Sequence, residues 1–202
     1  MASLVALERP VVLDDDVLVG AAIACIGRWG IAKTSFDDVA REAGCSRATV
    51  YRLFPGGKDA LCRAVVATEL GRLFVLVGER LAGATDLAEA IAGGIATAGR
   101  FLTTHPGLRF VVEHEPELLL PRLAFAEMDR VLATIADFAA PYLARFLPAD
   151  EAVRAAEWSA RIFFSYALNP TPDVDLGDET SVRKVVDRFV IPGVGPSNEE
   201  YR

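Results

Sequence analysis

The chain reads as an all-α protein, with a three-helix helix-turn-helix head at the N-terminus and a larger helical body behind it, about nine helices in total. Three observations carry that expectation. Apolar residues recur at three- and four-residue steps through most of the sequence. No stretch shows the clean apolar–polar alternation of a half-buried strand, and there is no internal repeat, glycine-rich phosphate loop or low-complexity tract. Two short helical patterns are separated by Gly44-Cys45-Ser46 alone, and Pro55-Gly56-Gly57 then divides the second from a third.

Residues 1–13 (MASLVALERPVVL) read as a loose arm, and Asp14, Asp15 and Asp16 suit the positive end of the helix dipole that follows. The first helix is expected over about 15–29, striped by Val17, Leu18, Ala21, Ala22, Cys25, Ile26 and Trp29. For the second, Thr34 can act as N-cap, with Asp37 three residues on as a short relative of the capping-box partner; Phe36, Val39, Ala40 and Ala43 form its apolar face. Gly44 stands where a helix end favours a left-handed residue, and Ser46 is a good N-cap for a helix over 47–54. That third helix is expected to bury Ala48, Val50 (or Leu53) and Phe54 and to expose Arg47, Thr49, Tyr51 and Arg52. An ordinary helical corner shares this geometry. The exposed surface separates the two, because two arginines, a threonine and a phenol on a two-turn helix suit phosphates and base edges in a major groove.

A long helix is expected from Lys58 to about Gly83, shared by head and body and joining them rigidly. The next, 86–104, carries Leu87, Ile91, Ile95, Ala98 and Leu102 on one side. Its Gly93, Gly94 and Gly99 each cost about 1 kcal/mol against alanine, so they belong where helices approach closely or a cavity needs room. His105-Pro106-Gly107 breaks the pattern, and short segments are expected at 108–115 and 117–125. A helix over about 123–147 has Met128, Leu132, Ile135, Ala139, Tyr142 and Phe146 on one face and a kink at Pro141. The helix from Pro148-Ala149-Asp150 to about Leu168 is apolar nearly all round in its second half, so it needs cover on more than one side. An acidic loop at 173–179 leads to a last helix over 179–190 with Val182, Val185, Val186, Phe189 and Val190 on one face; residues 194–202 read as frayed.

The 202 residues, 52% hydrophobic, are enough for a sizeable core. The net charge of -7 disfavours DNA binding until its distribution is read. Residues 1–63 balance eight basic against eight acidic side chains, and the whole excess lies in 64–202; Arg28 to Arg63 holds seven basic and four acidic residues. The head is therefore basic relative to a body that repels DNA. Three cysteines, Cys25, Cys45 and Cys62, are odd in number and form no metal spacing with His105 and His114, so a reducing, cytoplasmic setting with no disulfide framework is expected. No apolar run reaches spanning length and the N-terminus lacks signal-peptide order, so no membrane is expected. His105, Glu113, His114 and Glu115 are the one cluster an enzyme could use. Residues 113–115 are consecutive and fan to different helix faces, so no catalytic residue, metal or cofactor is assigned.

The residues Thr34-Ser35-Phe36, Val39-Ala40, Ala43-Gly44, Ser46, Thr49-Val50-Tyr51, Phe54 and Lys58-Asp59-Ala60-Leu61 resemble the DNA-binding region of the tetracycline-repressor (TetR) family of bacterial transcriptional regulators. The resemblance spans Val17 to Leu61; beyond it the match is in helical organisation alone. It implies a DNA-binding domain over 1–57 and an effector-binding and dimerisation domain over 58–202. It further implies a homodimer on double-stranded operator DNA, with contacts from Thr34, Ser35, Ser46, Arg47, Thr49, Tyr51, Arg52 and Lys58. Tyr51 and Lys58 match phosphate-contacting positions, while Leu53 stands where many relatives have histidine. Dimerisation through the last two helices makes Trp158, Phe163, Phe164, Val182, Val186 and Phe189 candidates for the seam or for the core beneath it. A small, largely apolar effector would meet Phe101, Phe110, Met128, Ile135, Phe138, Tyr142, Trp158 and Arg161 and release the repressor from its operator. The competing readings are an activator of the same fold and a helical dimerisation protein without specific DNA recognition.

Overall fold

The computed structural model of the protein describes residues 15–115, 117 and 126–194. The N-terminal arm, residues 195–202 and nearly all of the short segment expected at 117–125 lie outside them. Helix α1 (Asp15–Lys33) outlasts its expected end, because the chain breaks at Gly30, with φ 82°, and then resumes helical turns. It has two buried faces. Leu18, Ala21, Ala22 and Cys25 enter the head core with Phe36, Val39 and Ala40 of α2 (Phe36–Glu42), Val50 of α3 (Arg47–Leu53), Phe54, and Leu61 of α4 (Gly57–Gly83). Ile23 and Ile26, also buried, lie against Gly107 of α6 (Pro106–His114). Val17 and Trp29, expected in the stripe, are exposed, because two partners flank α1 where periodicity anticipated a single one.

Helix α4 runs unbroken into the body. Behind it α5 (Leu87–Thr104) is buried nearly all round, packed by α4, by α8 (Ala149–Leu168) and by α9 (Glu179–Val185). Its glycines serve close approach, not a cavity: a Cβ on Gly93 would enter the Arg80 guanidinium, one on Gly94 would press on Leu81, and one on Gly99 would overlap the carbonyl of Leu176. Arg80 itself is bound by Glu89 and Glu179, and Arg100 donates to the Gly177 carbonyl at 3.0 Å. The 173–178 loop is thereby fastened to α5.

His105 acts as a start signal as well as a break, since its Nδ1 accepts the Leu108 N–H at 3.0 Å and caps α6. Helix α7 (Ala126–Leu143) passes through Pro141 as one helix and lies along α8. After α9, whose cap is Asp178, the chain widens into a π turn at Val186–Val190 and then tightens into a 3-10 turn at Ile191–Gly193. The body core gathers Ile91, Ile95, Leu143, Val182, Val186 and Val190, with alanines of α5, α7 and α8 as spacers. Among the described residues no helix is long and apolar enough to cross a membrane.

Candidate nucleic-acid interface

The reading surface is assembled from caps. Ser35, not Thr34, is the N-cap of α2: its Oγ accepts the Asp38 N–H at 3.3 Å, and Asp38 Oδ2 accepts the Ser35 N–H at 3.1 Å. The Ser35 hydroxyl, followed by the Ser35 amide, holds the Asp38 carboxyl below its ordinary pKa. The box thus falls one residue later than the Thr34/Asp37 pair expected from sequence. Thr34 is turned inward and buried, its hydroxyl donating to the Gly30 carbonyl at 2.7 Å. Its side chain is taken out of the DNA-facing set, and Ser35 remains in it.

Gly44, at φ 66°, closes α2 and lets Cys45 N–H reach back to the Ala40 carbonyl at 2.9 Å. Ser46 then caps α3, accepting the Thr49 N–H at 3.2 Å, and its hydroxyl pairs with that of Thr49 at 2.9 Å. Val50 and Phe54 anchor α3 in the head core, while Arg47, Tyr51 and Arg52 are exposed and Thr49 is half-buried. Ala48, expected inside, also faces solvent, since Val50 and Phe54, with Leu53 packed beside them, hold this short helix to the core.

Arg47 is already engaged. Its Nη1 donates to Asp37 Oδ2 at 2.9 Å and its Nη2 to the Tyr51 hydroxyl at 3.1 Å, with the guanidinium 5.3 Å from the Tyr51 ring centre. Tyr51 in turn meets Phe36 edge-on at 4.7 Å. Lys58 Nζ donates to the Ala32 carbonyl at 2.9 Å, which ties the start of α4 to the end of α1, with Gly57 adopting φ 69°. An ammonium has three N–H donors, so two stay available for a phosphate.

The body residues separate into several places. Phe138 and Tyr142 pack with Phe74 against the body core and over Gly78, whose absent Cβ leaves room for the Tyr142 hydroxyl. Phe101 borders an open groove of about 550 Å³ together with Leu76, Arg80, Thr97, Arg100 and Thr104. Met128 and Ile135 are half-buried on α7. Phe110 sits far from any such lining: its ring lies over Gly30 and stacks on His114 at 4.5 Å, at the joint between head and body. Arg161 is exposed and bonded to Glu157 at 2.6 Å, and Trp158 is 60% exposed, so neither lines an interior space in the single chain. Val182 and Val186 are wholly buried in the body core and are not surface for a seam; Phe189 is 65% exposed because the π turn rotates it outward, and Phe163 and Phe164 are half-buried.

Two residues escaped periodicity. Asp37 reads as a cap partner yet holds Arg47, a pairing that requires knowing how α2 crosses α3. Glu115, named from sequence only in the cluster an enzyme could use, is buried, its carboxylate accepting the N–H groups of Ile31 and Ala32. Among the described residues no group of three or more His, Cys, Asp or Glu could hold a metal ion.

With this geometry in view, the comparisons with known proteins agree. Residues 18–65 match the family model described as bacterial regulatory proteins, tetR family. Two uncharacterized HTH-type transcriptional regulators from strains of Mycobacterium tuberculosis are each 29% identical over 191 residues, covering 93% of this chain and 88% of the relative. Among solved structures, the TetR family repressor AlkX of a Dietzia species, implicated in biodegradation of n-alkanes, superposes with TM-score 0.61 at 22% identity, covering 86% of this chain and 93% of that one. The fatty acid degradation regulator FadR of Bacillus halodurans does so with TM-score 0.63 at 18% identity, covering 85% and 93%. The helix-turn-helix head and the sequence match within it point the same way: over residues 18–65 this chain is similar to the DNA-binding region of the tetR-family bacterial regulatory proteins, and the helices behind it have the fold of the solved regulators.

Proposed function

We propose that the protein is a homodimeric repressor that sets two copies of α3 into successive major grooves of a near-palindromic operator and leaves it when a mostly apolar small molecule occupies the body. The division of labour is a DNA-binding domain over 1–57 and an effector-binding and dimerisation domain over 58–202, with α4 continuous between them. Arg47, Thr49 and Arg52 reach base edges or the adjacent backbone. Ser35, Ser46, Tyr51 and Lys58 position the head on phosphates, Ser35 through the amide end of α2. Trp158, Phe163, Phe164 and Phe189 meet the second copy, and Phe101, Met128, Ile135, Phe138 and Tyr142 are the lining candidates for the effector. Repression requires two heads held about one helical turn of DNA apart, and an effector that prefers another separation lowers affinity by that preference.

The observation that carries this reading is a short helix with an apolar base in the core and Arg47, Tyr51 and Arg52 on its open face. The test begins with selection of duplexes from a random-sequence pool by the full-length protein. A palindromic consensus is expected, with loss of its enrichment in the R47A/T49A variant. Equal binding of both proteins to selected and random duplexes would defeat sequence-specific recognition.

A further inference from the structure

We infer that Glu115 is a positioning residue for DNA recognition: its carboxylate, presented by the C-terminal end of α6, fixes the angle at which the head is held. The inference rests on the DNA-binding reading and adds to it a path between body and head other than the continuous α4.

The joint starts from a broken helix. At Gly30, with φ 82° and ψ 169°, the turn of α1 opens, and the N–H groups of Ile31 and Ala32 present themselves like those at a fresh helix N-terminus. Glu115 accepts both, Oε2 from Ile31 at 2.7 Å and Oε1 from Ala32 at 3.0 Å. A carboxylate only 8% exposed is thereby satisfied at each oxygen by a backbone donor. Carbonyls of the same stretch are also tied: Ala32 gives its carbonyl to Lys58 Nζ at 2.9 Å, and Gly30 gives its carbonyl to the amide and hydroxyl of Thr34. Residues 30–34 lead directly into Ser35, the cap of α2. Whatever orients them orients the helix-turn-helix.

Helix α6 is seated in only one way. Its first residue, Pro106, lies against Gly27, where a Cβ would stand 3.0 Å from the proline, and Phe110 and Glu115 close over Gly30. Its cap, His105, meets Glu69 of α4 through Nε2 at 2.9 Å, and Glu69 also accepts from Arg72 at 2.6 Å. One end of α6 is thus bonded to the middle of α4 and the other to the end of α1, while Lys58 bonds the start of α4 to that same end. The three connections close a triangle. With Glu115 removed the triangle opens, and the head turns about the glycine pair at its junction with α4 under a weaker restraint.

The test uses the full chain, the consensus duplex selected by the wild-type protein, and the variants Glu115→Ala and Glu115→Gln. Alanine removes both acceptors; glutamine keeps one and points its N–H groups at the second amide, so it separates loss of the clamp from loss of bulk. Residue-resolved hydrogen exchange is expected to speed up about tenfold or more at both Ile31 and Ala32 in Glu115→Ala and at one of the two in Glu115→Gln, with Val39, Val50 and the α5 amides at wild-type rates. Operator affinity is expected to fall about tenfold, and discrimination against duplexes whose half-sites are one base pair closer or further apart is expected to shrink in step. A variant that merely unfolds would lose protection in the cores too, and Glu115→Gln then decides. Wild-type exchange at the two amides overturns the inference. So does faster exchange with unchanged affinity and unchanged spacing discrimination. If the wild-type protein enriches no duplex at all, the DNA-binding reading falls and takes this inference with it, a result distinct from an enriched consensus that the variants bind as well as the wild type.

Discussion

Arg47, proposed above as a DNA contact, already carries a carboxylate. Asp37 and Tyr51 hold both ends of its guanidinium, so a phosphate or base edge must displace Asp37 or share the arginine with it. An exposed pair of this kind contributes little and is screened by salt, so it yields readily to a competing anion. Replacing Asp37 by Asn removes both the competitor and a negative charge close to the approaching phosphates. Affinity for random-sequence duplex is expected to rise by about two- to fivefold at low salt, with a steeper salt dependence, in fluorescence-anisotropy titrations. Weaker binding would mean instead that Asp37 aims the arginine. Legibility at this scale was close but not complete. In Thr-Ser-Phe-Asp-Asp both Thr34/Asp37 and Ser35/Asp38 obey the spacing of a capping box, so local pattern cannot choose between them. The choice is made by Gly30, whose carbonyl draws the Thr34 hydroxyl inward, and a left-handed residue inside a helical stripe leaves no periodic trace.

Helices as units were largely legible, because stripes at three- and four-residue steps announce them whatever they pack against. Their faces were less so. A stripe does not say how many partners it has, and α1 and α5 each have several. The start of α5 shows what capping adds. Asp86 accepts the Glu89 N–H at 2.7 Å, and Glu89 returns to Thr85, accepting from its N–H at 2.8 Å and from its hydroxyl, while Arg80 approaches the same carboxylate. The Thr85 hydroxyl first, then its amide, with Arg80 assisting, bring the Glu89 carboxyl from an ordinary 4.5 down to about 2. A carboxyl depressed on folding stabilises the native state above its unfolded value and loses that contribution as pH falls toward the folded one. Thermal unfolding of the wild type is therefore expected to weaken between pH 4.5 and about 2, and a Glu89→Gln variant, already less stable at neutral pH, is expected to show a shallower decline there. Parallel pH profiles for the two proteins would show that the cap does not contribute to folding.

The molecule as a whole is left with apolar surface that a single chain does not cover. Trp158 at 60% and Phe189 at 65% exposure stand out on α8 and on the π turn that follows α9, in a protein whose remaining large aromatics are mostly packed. Placing Asp at both positions is expected to yield a monomer by analytical ultracentrifugation, with helical content unchanged and operator binding lost, since one head contacts one half-site. A double variant that stays dimeric would move the seam elsewhere. The sequence pointed to these two side chains through their apolarity, but it could not separate them from Val182 and Val186, because a regular helix would put all of the last three on one side. The wider π turn after Val185 breaks that regularity.

The seat at Gly99 bears on how such a pair would behave. The backbone of the 173–178 loop rests directly on that glycine, and Arg100 grips the same loop, leaving no slack between α5 and the strand of chain that leads into the outward-turned aromatic. Phe101 is two residues further along the same helix. In a twofold assembly, a guest that shoves α5 in one subunit also shoves the wall that subunit has in common with its twin. Occupancy of one half would then bear on the other, and saturation by such a guest would depart from that of two independent pockets.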